Sequence, residues 1–127
     1  MKELDLAHNN NWESDGLYRI FTGKVTGEEI LTSNLELQGD PRFDDISYVL
    51  NDFTAIVDFD VTDIDVTKIA VMDDVAAKSN PDINIAIVAT LEPFIKWVNV
   101  FIDSMKGTPF ECTLFDRVED ARKWISK

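Results

Sequence analysis

Two short apolar runs in the middle and second half of the chain favour buried β-strands. Residues 46–50 (ISYVL) are rich in strand-forming side chains and are bounded by charged residues, and residues 83–89 (INIAIVA) are apolar almost throughout. A near-continuous apolar run of this length is typical of a strand that helices cover on both faces. The sequence therefore predicts a sheet with these two segments at its centre.

Further strands are predicted nearer the two ends of the chain. Residues 3–8 alternate Leu4 and Leu6 with polar neighbours, and the polar, turn-prone NNNWESDG follows them. Residues 17–22 (LYRIFT) form the next run, so the two segments predict an N-terminal antiparallel hairpin. Residues 110–115 (FECTLF) predict the last strand.

Four segments combine apolar positions at helical spacing with residues that cap helices. Thr26 and Glu29 have the spacing of a capping box, which predicts a first helix over residues 26–38, before a Gly-Asp-Pro stop. The other three helices are predicted to begin at these caps: Thr62 or Asp63, Thr90, and Asp116.

These elements follow one another in the order ββαβαβαβα, which is typical of an α/β fold. We expect a mixed five-stranded sheet, in which the hairpin joins largely parallel strands, with about four helices around it. A chain of 127 residues with 45% hydrophobic side chains is long enough for one domain with a substantial core. The single domain is predicted to cover residues 1–127, since no internal repeat or linker is present.

Polar side chains follow the two buried strands. Open α/β sheets bind ligands beyond the carboxyl ends of their strands, so the polar residues after these two strands are a candidate ligand or switch loop. The alternative interpretation is that these side chains cap the following helices and remain solvated. The candidate residues of this loop are Asp52, Asp58, Asp60, Thr62 and Thr90.

The helix predicted between Thr90 and Gly107 has a wider apolar arc than a surface helix needs. One stripe of large side chains is widened by Ile95, Val100 and Ile102, whereas an ordinary surface helix has an apolar arc of roughly 100°. Something besides the sheet is expected to cover the excess, most simply a second copy of the chain. The predicted homodimer interface comprises Phe94, Trp97, Val98, Phe101 and Met105.

The net charge and the cysteine content limit which classes of partner and which cellular compartment are expected. A net charge of −12 opposes binding to nucleic acid and to anionic lipid surfaces. Cys112 is the single cysteine and has no intramolecular disulfide partner, which favours the cytoplasm. The chain begins without an apolar signal core and contains no apolar run long enough to cross a bilayer, so a cytoplasmic protein that does not span a membrane is expected.

The residues that most catalytic and metal sites require are scarce. His8 and Cys112 lie far apart in sequence, which argues against a zinc site, and the acidic stretch lacks the spacing and glycine of a calcium loop. Gly23, Gly27 and Gly39 are too dispersed for a nucleotide-binding fingerprint. No base is predicted beside a nucleophile, so we expect no catalytic residue, metal or cofactor.

Several segments together resemble the SpoIIAA-like family of the STAS superfamily, which includes anti-sigma factor antagonists and sulfate-transporter domains. They are GKVTGEEI, YVLNDF, INIAIVATLEPFIKWVNVF and FECTLFDRVEDARKWI. The most specific part is the strand ending Phe115-Asp116, followed by the helix pattern of residues 118–125. The likeness covers roughly residues 17–125 and consists of apolar positions and caps, without a catalytic signature.

This resemblance implies a mixed five-stranded sheet and a non-enzymatic role in protein interaction or ligand sensing. In the anti-sigma antagonists, an Asp-Ser-Ser-Gly motif after a central strand carries a serine whose phosphorylation switches partner binding. The matching residues 57–63 here read VDFDVTD, with Thr62 as the nearby hydroxyl and without the serine pair or glycine. A phosphate on Thr62 would be repelled by the surrounding aspartates, which argues against a retained switch.

Two functions follow as hypotheses. The first is a non-catalytic, cytoplasmic regulatory or protein-interaction module that self-associates through the helix between Thr90 and Gly107. The alternative is a carrier or sensor of a small lipid-like or nucleotide-like molecule, because the family is also likened to CRAL-TRIO lipid-transfer domains. Its ligand would bind beside residues 52–62 and Thr90.

Overall fold

The computed structural model of the protein describes residues 8–126. Within that range five strands form one sheet in sequence order, with β1 antiparallel to β2 and the other neighbours parallel. The predicted mixed five-stranded α/β sheet is confirmed. Its strands are β1 (His8–Trp12), β2 (Gly16–Thr26), β3 (Tyr48–Asp60), β4 (Asn84–Val88) and β5 (Glu111–Phe115).

Among residues 8–126, four α-helices cover the two faces of this sheet. Three crossovers step in the same direction across parallel strands, and right-handed connections then place their helices on one face. As this expectation requires, α1 contacts α2 and α2 contacts α3. The fourth helix, α4, packs on the opposite face of the sheet, against β3, β4 and β5. In the described part of the chain no helix is long and apolar enough to span a membrane. The helices are α1 (Gly27–Gln38), α2 (Asp63–Ala76), α3 (Glu92–Ser104) and α4 (Val118–Ile125).

The core lies on both sides of the sheet because alternate side chains of each strand point to opposite faces. In β4, Ile85 and Ile87 pack under α1 to α3, while Ala86 and Val88 pack with Ala121 of α4. All five side chains are buried. The prediction that this strand is covered on both faces is confirmed.

The central strand β3 is much longer than predicted. The sequence places residues 52–62 in an acidic loop, but β3 continues to Asp60 and pairs with β2 over this stretch. Phe53 and Ile56 are buried and Phe59 is partly buried against the core, while Asp58 and Asp60 on either side of Phe59 are exposed. The loop prediction was wrong because this stretch pairs as a strand, in which Asp52 is buried and Asp58 and Asp60 face solvent.

The N-terminal hairpin is confirmed in kind but shifted along the chain. Residues 1–7, which carry most of the first predicted strand, lie outside the described residues. The segment predicted as its turn instead supplies β1, where three asparagines are exposed and Trp12 lies beneath the guanidinium of Arg42, at 3.9 Å from the ring centroid. An edge strand with one solvated face tolerates asparagine because its backbone still pairs with β2.

Two of the predicted helix caps are present and two are not. The hydroxyl of Thr26 accepts a hydrogen bond from the N–H of Glu29 at 3.0 Å, and Thr62 caps α2. The predictions for Thr90 and Asp116 were wrong, since α3 and α4 begin one residue later, after N-caps without side-chain cap bonds. Pro93 has no N–H to be capped, which lowers the need for a side-chain cap on α3.

An ion pair fixes α4 against the other end of the fold. Both carboxylate oxygens of Glu13 accept hydrogen bonds at 2.7 Å from the guanidinium of Arg122, and the hydroxyl of Tyr48 donates to the same carboxylate. The hydrogen bond from Arg122 lowers the pKa of Glu13. This two-point contact joins the turn after β1 to the last helix.

Candidate functional site

Asp52, the first residue of the predicted ligand loop, has a structural role on the face of the sheet that carries α4. The hydroxyl of Tyr18 donates to Asp52 Oδ2 at 2.7 Å, and the N–H and hydroxyl of Thr54 donate to Oδ1 at 2.9 and 2.7 Å. Burial and the bond to Asp52 raise the pKa of Tyr18 to about 12. The Asp52 carboxylate is thus already saturated by protein donors.

Asp58 and Asp60 lie along a free edge of the sheet. The pairing of β4 with β3 ends at Asp52, so the rest of β3 has a strand partner on one side only. Asp58 Oδ1 accepts a hydrogen bond from the N–H of Phe59 at 2.8 Å. Local bonds of this kind and the negative charges protect an open edge from pairing with another chain.

Thr62 and Thr90 are both exposed, but in different settings. Thr62 and Asp65 form a capping box, in which the Thr62 hydroxyl accepts from the Asp65 N–H at 3.2 Å and Asp65 Oδ2 accepts from the Thr62 N–H at 2.9 Å. Thr90 lies between β4 and α3. Within residues 8–126, no side-chain hydrogen bond joins any two of the five predicted loop residues, and the candidate ligand or switch loop stays a prediction.

Replacing Thr62 by alanine is expected to lower the free energy of unfolding by about 1 kcal/mol, because the Asp65 N–H loses its acceptor. Urea denaturation measures this loss. Thr67→Ala is the matched control, since Thr67 is an exposed threonine inside the same helix and its replacement is expected to change stability by less than about 0.5 kcal/mol. Equal losses at the two positions would contradict the capping role.

The apolar stripe of α3 is mostly part of the core of a single chain. Phe94, Val98 and Met105 are 3%, 5% and 1% exposed, so these three side chains are covered within one chain, and the predicted interface stays a prediction. Trp97 and Phe101 are partly buried. The arc is wide because α3 packs on α2 as well as on the sheet, and a helix with two neighbours buries more than one face.

A cavity of about 80 Å³ lies between the sheet and α1 to α3. A single water needs roughly 10–15 Å³ by the same kind of measure, so this space is several times larger. Its walls are mainly apolar and aromatic, and four of the five predicted interface residues contribute to them. Prominent wall residues are Phe21, Phe53, Phe94, Trp97, Val98 and Phe101.

Aromatic rings stack in a row along one side of the cavity. Phe21 and Phe53 are stacked with centroids 4.4 Å apart, and Phe94 follows at 4.7 Å from Phe53. Phe59 meets Phe94 edge-on at 5.4 Å. Contacts at these distances favour a rigid wall, so the shape of this side is set by ring packing.

Arg19 of β2 forms the polar end of the cavity. Its side chain is completely buried, which lowers its pKa to about 10 through desolvation. Nη1 donates to Asn34 Oδ1 at 2.8 Å and Ser33 Oγ at 3.1 Å, and Nε donates to Asn10 Oδ1 at 3.2 Å. Nη2 is buried and has no hydrogen-bond partner in the part of the chain that the structure describes.

Asn51 lies beside Arg19, because the two residues are register partners in the parallel pair of β2 and β3. Its Oδ1 atom is likewise buried without a hydrogen-bond partner among residues 8–126. Both residues line the cavity. An unpaired buried polar atom is energetically costly and uncommon in native proteins, and here one donor and one acceptor adjoin the same space.

Asp73 of α2 completes the polar end. It is 4% exposed and accepts hydrogen bonds from Gln38 Nε2 at 2.8 Å and Asn34 Nδ2 at 3.4 Å. Desolvation raises the pKa of Asp73 to about 7, although the bond from Gln38 and the charge of Arg19 act in the opposite direction. Asn34 therefore bridges a buried cation and a buried acid.

The sequence interpretation missed all three of these polar residues, although their spacing places them on the core side. Arg19 lies between Leu17 and Phe21 at alternate positions of β2, all of which are buried. Asp73 shares the buried face of α2 with residues at helical spacing. A polar side chain at a core position of an otherwise regular pattern was the available signal.

Comparison with known proteins supports the fold. No family model matches the sequence, and no curated protein matches it. The structure is similar to that of an uncharacterized protein from the DUF3478 family with a SpoIIAA-like fold, from Shewanella loihica PV-4, with 22% sequence identity and a TM-score of 0.56. The match covers 94% of this chain and 92% of the other. The resemblance inferred from the sequence is thus confirmed at the level of the fold.

Proposed function

We propose that this SpoIIAA-like domain is a non-catalytic module that binds a small, largely apolar molecule between its sheet and its helix layer. The observation that carries the proposal is the cavity of about 80 Å³, whose apolar walls end at two unpaired buried polar atoms. Ligand pockets in proteins are typically concave and apolar, with a few polar groups that orient the ligand.

Of the two ligand classes considered, the lipid-like one fits this cavity better than the nucleotide-like one. Arg19 is the single cation among the lining residues, and it shares the polar end with Asp73. Phosphate groups require several donors or cations that are free to bind them, and the chain as a whole carries a net charge of −12. The aromatic walls instead suit an alkyl or aryl body.

The way into the cavity is proposed to lie between α3 and the start of α2. Trp97 and Phe101 of α3 and Val61, just before α2, line the cavity and are also partly exposed. These side chains stand between the cavity and solvent. Small movements of these side chains would admit a ligand without disrupting the sheet.

Native mass spectrometry of gently purified protein tests the proposal first, and retained extra mass is the expected result. Methyl octanoate serves as a defined apolar probe, which is expected to raise the melting temperature by several degrees at saturating concentration. Val98→Phe places a phenyl ring in the cavity and is expected to abolish the rise in melting temperature. The matched control is Val100→Phe, at an exposed position of the same helix, which should keep it. No retained mass and no melting shift in the wild type would refute ligand binding.

We further propose that ligand occupancy regulates contacts with protein partners and that the module works in the cytoplasm. Cys112 is a free thiol, which accords with a reducing compartment. The acidic surface favours protein partners over nucleic acid.

Self-association is a second candidate function, supported by exposed apolar residues on α2. Ile64, Val71 and Val75 are 65%, 60% and 59% exposed and fall on one side of the helix. A dimer through this ridge would bury them. Light scattering is then expected to give twice the monomer mass for the wild type and the monomer mass for Val71→Glu. Val100→Glu on α3 is the control that should leave the dimer intact, and a monomeric wild type would rule this function out.

A further inference from the structure

We infer that the ligand of this cavity carries a neutral polar group with both a hydrogen-bond acceptor and a donor, as a primary amide or an undissociated carboxylic acid does. The inference rests on the proposed function and adds the chemical class of the ligand. Its basis is the pair of unpaired atoms at the polar end, Arg19 Nη2 as donor and Asn51 Oδ1 as acceptor.

The two atoms belong to side chains that one compact group can contact together. Arg19 and Asn51 are register partners on parallel strands, and neighbouring strands lie about 4.8 Å apart. Both side chains point to the helix side of the sheet and line the same cavity. A group whose acceptor and donor are a few ångströms apart therefore spans the distance from one strand to the next.

The remaining hydrogen-bonding capacity of Arg19 is already used. Nε and Nη1 donate to three side chains from β1 and α1, which fixes the guanidinium. Arg19 lines the cavity, and its Nη2 atom has no hydrogen-bond partner among residues 8–126. The charge of Arg19 is also compensated in part by Asp73 through Asn34. A neutral ligand group preserves this balance, whereas a carboxylate would bring an anion toward Asp73 and further disfavour the charged form of that acid.

Ligand groups that lack a donor, an acceptor or both leave at least one of the two atoms unpaired. An ester or a carboxylate offers acceptors alone, so it would pair with Arg19 and leave Asn51 Oδ1 without a donor. A hydrocarbon would pair with neither atom. Because a buried polar atom without a partner opposes binding, a group with both functions is favoured over each of these.

Comparison of octanamide with methyl octanoate tests the inference, since the two probes share an alkyl chain and differ in the donor. Isothermal titration of the wild-type protein is expected to give an affinity about tenfold higher for octanamide, the effect of one additional satisfied hydrogen bond. Octanoate at neutral pH is expected to bind more weakly than octanamide. In Asn51→Leu, which keeps the branching and the number of side-chain heavy atoms and removes the acceptor, the tenfold preference should disappear while the ester still binds.

The possible results distinguish a failure of this inference from a failure of the proposed ligand-binding function. Equal binding of amide and ester by the wild type would overturn the donor–acceptor assignment, with an ordered water satisfying both atoms, and would leave the ligand cavity standing. Tighter binding of octanoate than of octanamide would overturn the neutral class. Preference for the amide that survives in Asn51→Leu would overturn the role of Asn51. Absence of binding by every probe, without copurified mass, would remove the proposed function itself.

Discussion

Asp73→Asn is expected to remove a fall in stability that the wild-type protein shows as the pH rises from about 4 to about 7. The Asp73 carboxyl has a pKa of about 7 in the folded protein, against an ordinary value of 3.8, because burial disfavours its charged form. Asparagine keeps an acceptor for Gln38 Nε2 and cannot ionise. The variant is therefore expected to be more stable than the wild type above pH 7.

The direction of this pH dependence follows from the number of protons that the folded and unfolded states bind. Between the two pKa values the folded protein holds a proton on Asp73 that the unfolded chain has released, so stability falls as the pH rises. The free energy of unfolding is highest at a pH below the pKa of Asp73 in the unfolded chain, and it reaches its lower value above about pH 7. The expected loss of stability is roughly 1–3 kcal/mol, which lies within the linkage that a shift of this size allows.

Urea denaturation at pH 5 and pH 8 measures this effect for the wild type and the variant. Asp74→Asn is the matched control, because it removes the same charge from the next residue, which is exposed. The control separates the buried carboxyl from the general relief of repulsion in a chain with a net charge of −12. If both variants changed the pH dependence alike, the buried position of Asp73 would not be its cause.

The elements that were predicted well are those whose signal is local. The INIAIVA run allowed one interpretation as a strand, and the spacing of Thr26 and Glu29 located the start of α1 correctly. The length of β3 was missed because Asp58 and Asp60 resemble loop residues until the partner strand is known. β2 extends to Thr26 and holds this acidic stretch in the sheet, a contact between segments distant in sequence.

The site was predicted less well because its chemistry depends on burial. Asp52 was identified as a candidate for its position after a strand, yet Tyr18 and Thr54 use its oxygens. Arg19 and Asn51 became significant only when alignment of β2 with β3 placed them side by side under three helices. Sequence alone shows which strand positions face inward, but it does not show which polar atoms remain unpaired.

Phe94→Ala is expected to lower the free energy of unfolding by about 3–5 kcal/mol, the usual range for truncating a buried phenylalanine. Phe94 is 3% exposed and contacts the rings of Phe53 and Phe59 at centroid distances of 4.7 and 5.4 Å. Alanine would remove those contacts and enlarge a cavity that Phe94 already lines. Since the free energy of unfolding of small domains is about 5–15 kcal/mol, the variant would lose a large part of its stability.

Urea denaturation and light scattering together distinguish this core role from the interface that the sequence predicted for Phe94. A core residue changes the unfolding midpoint at every protein concentration, whereas an interface residue chiefly changes the oligomeric mass and makes stability concentration-dependent. Val100→Ala on the exposed side of the same helix is the control, with an expected change below about 1 kcal/mol. A Phe94→Ala protein that kept wild-type stability and lost only a dimer would return α3 to the role of an interface, and would show that the ring row is not needed to hold the helix on the sheet.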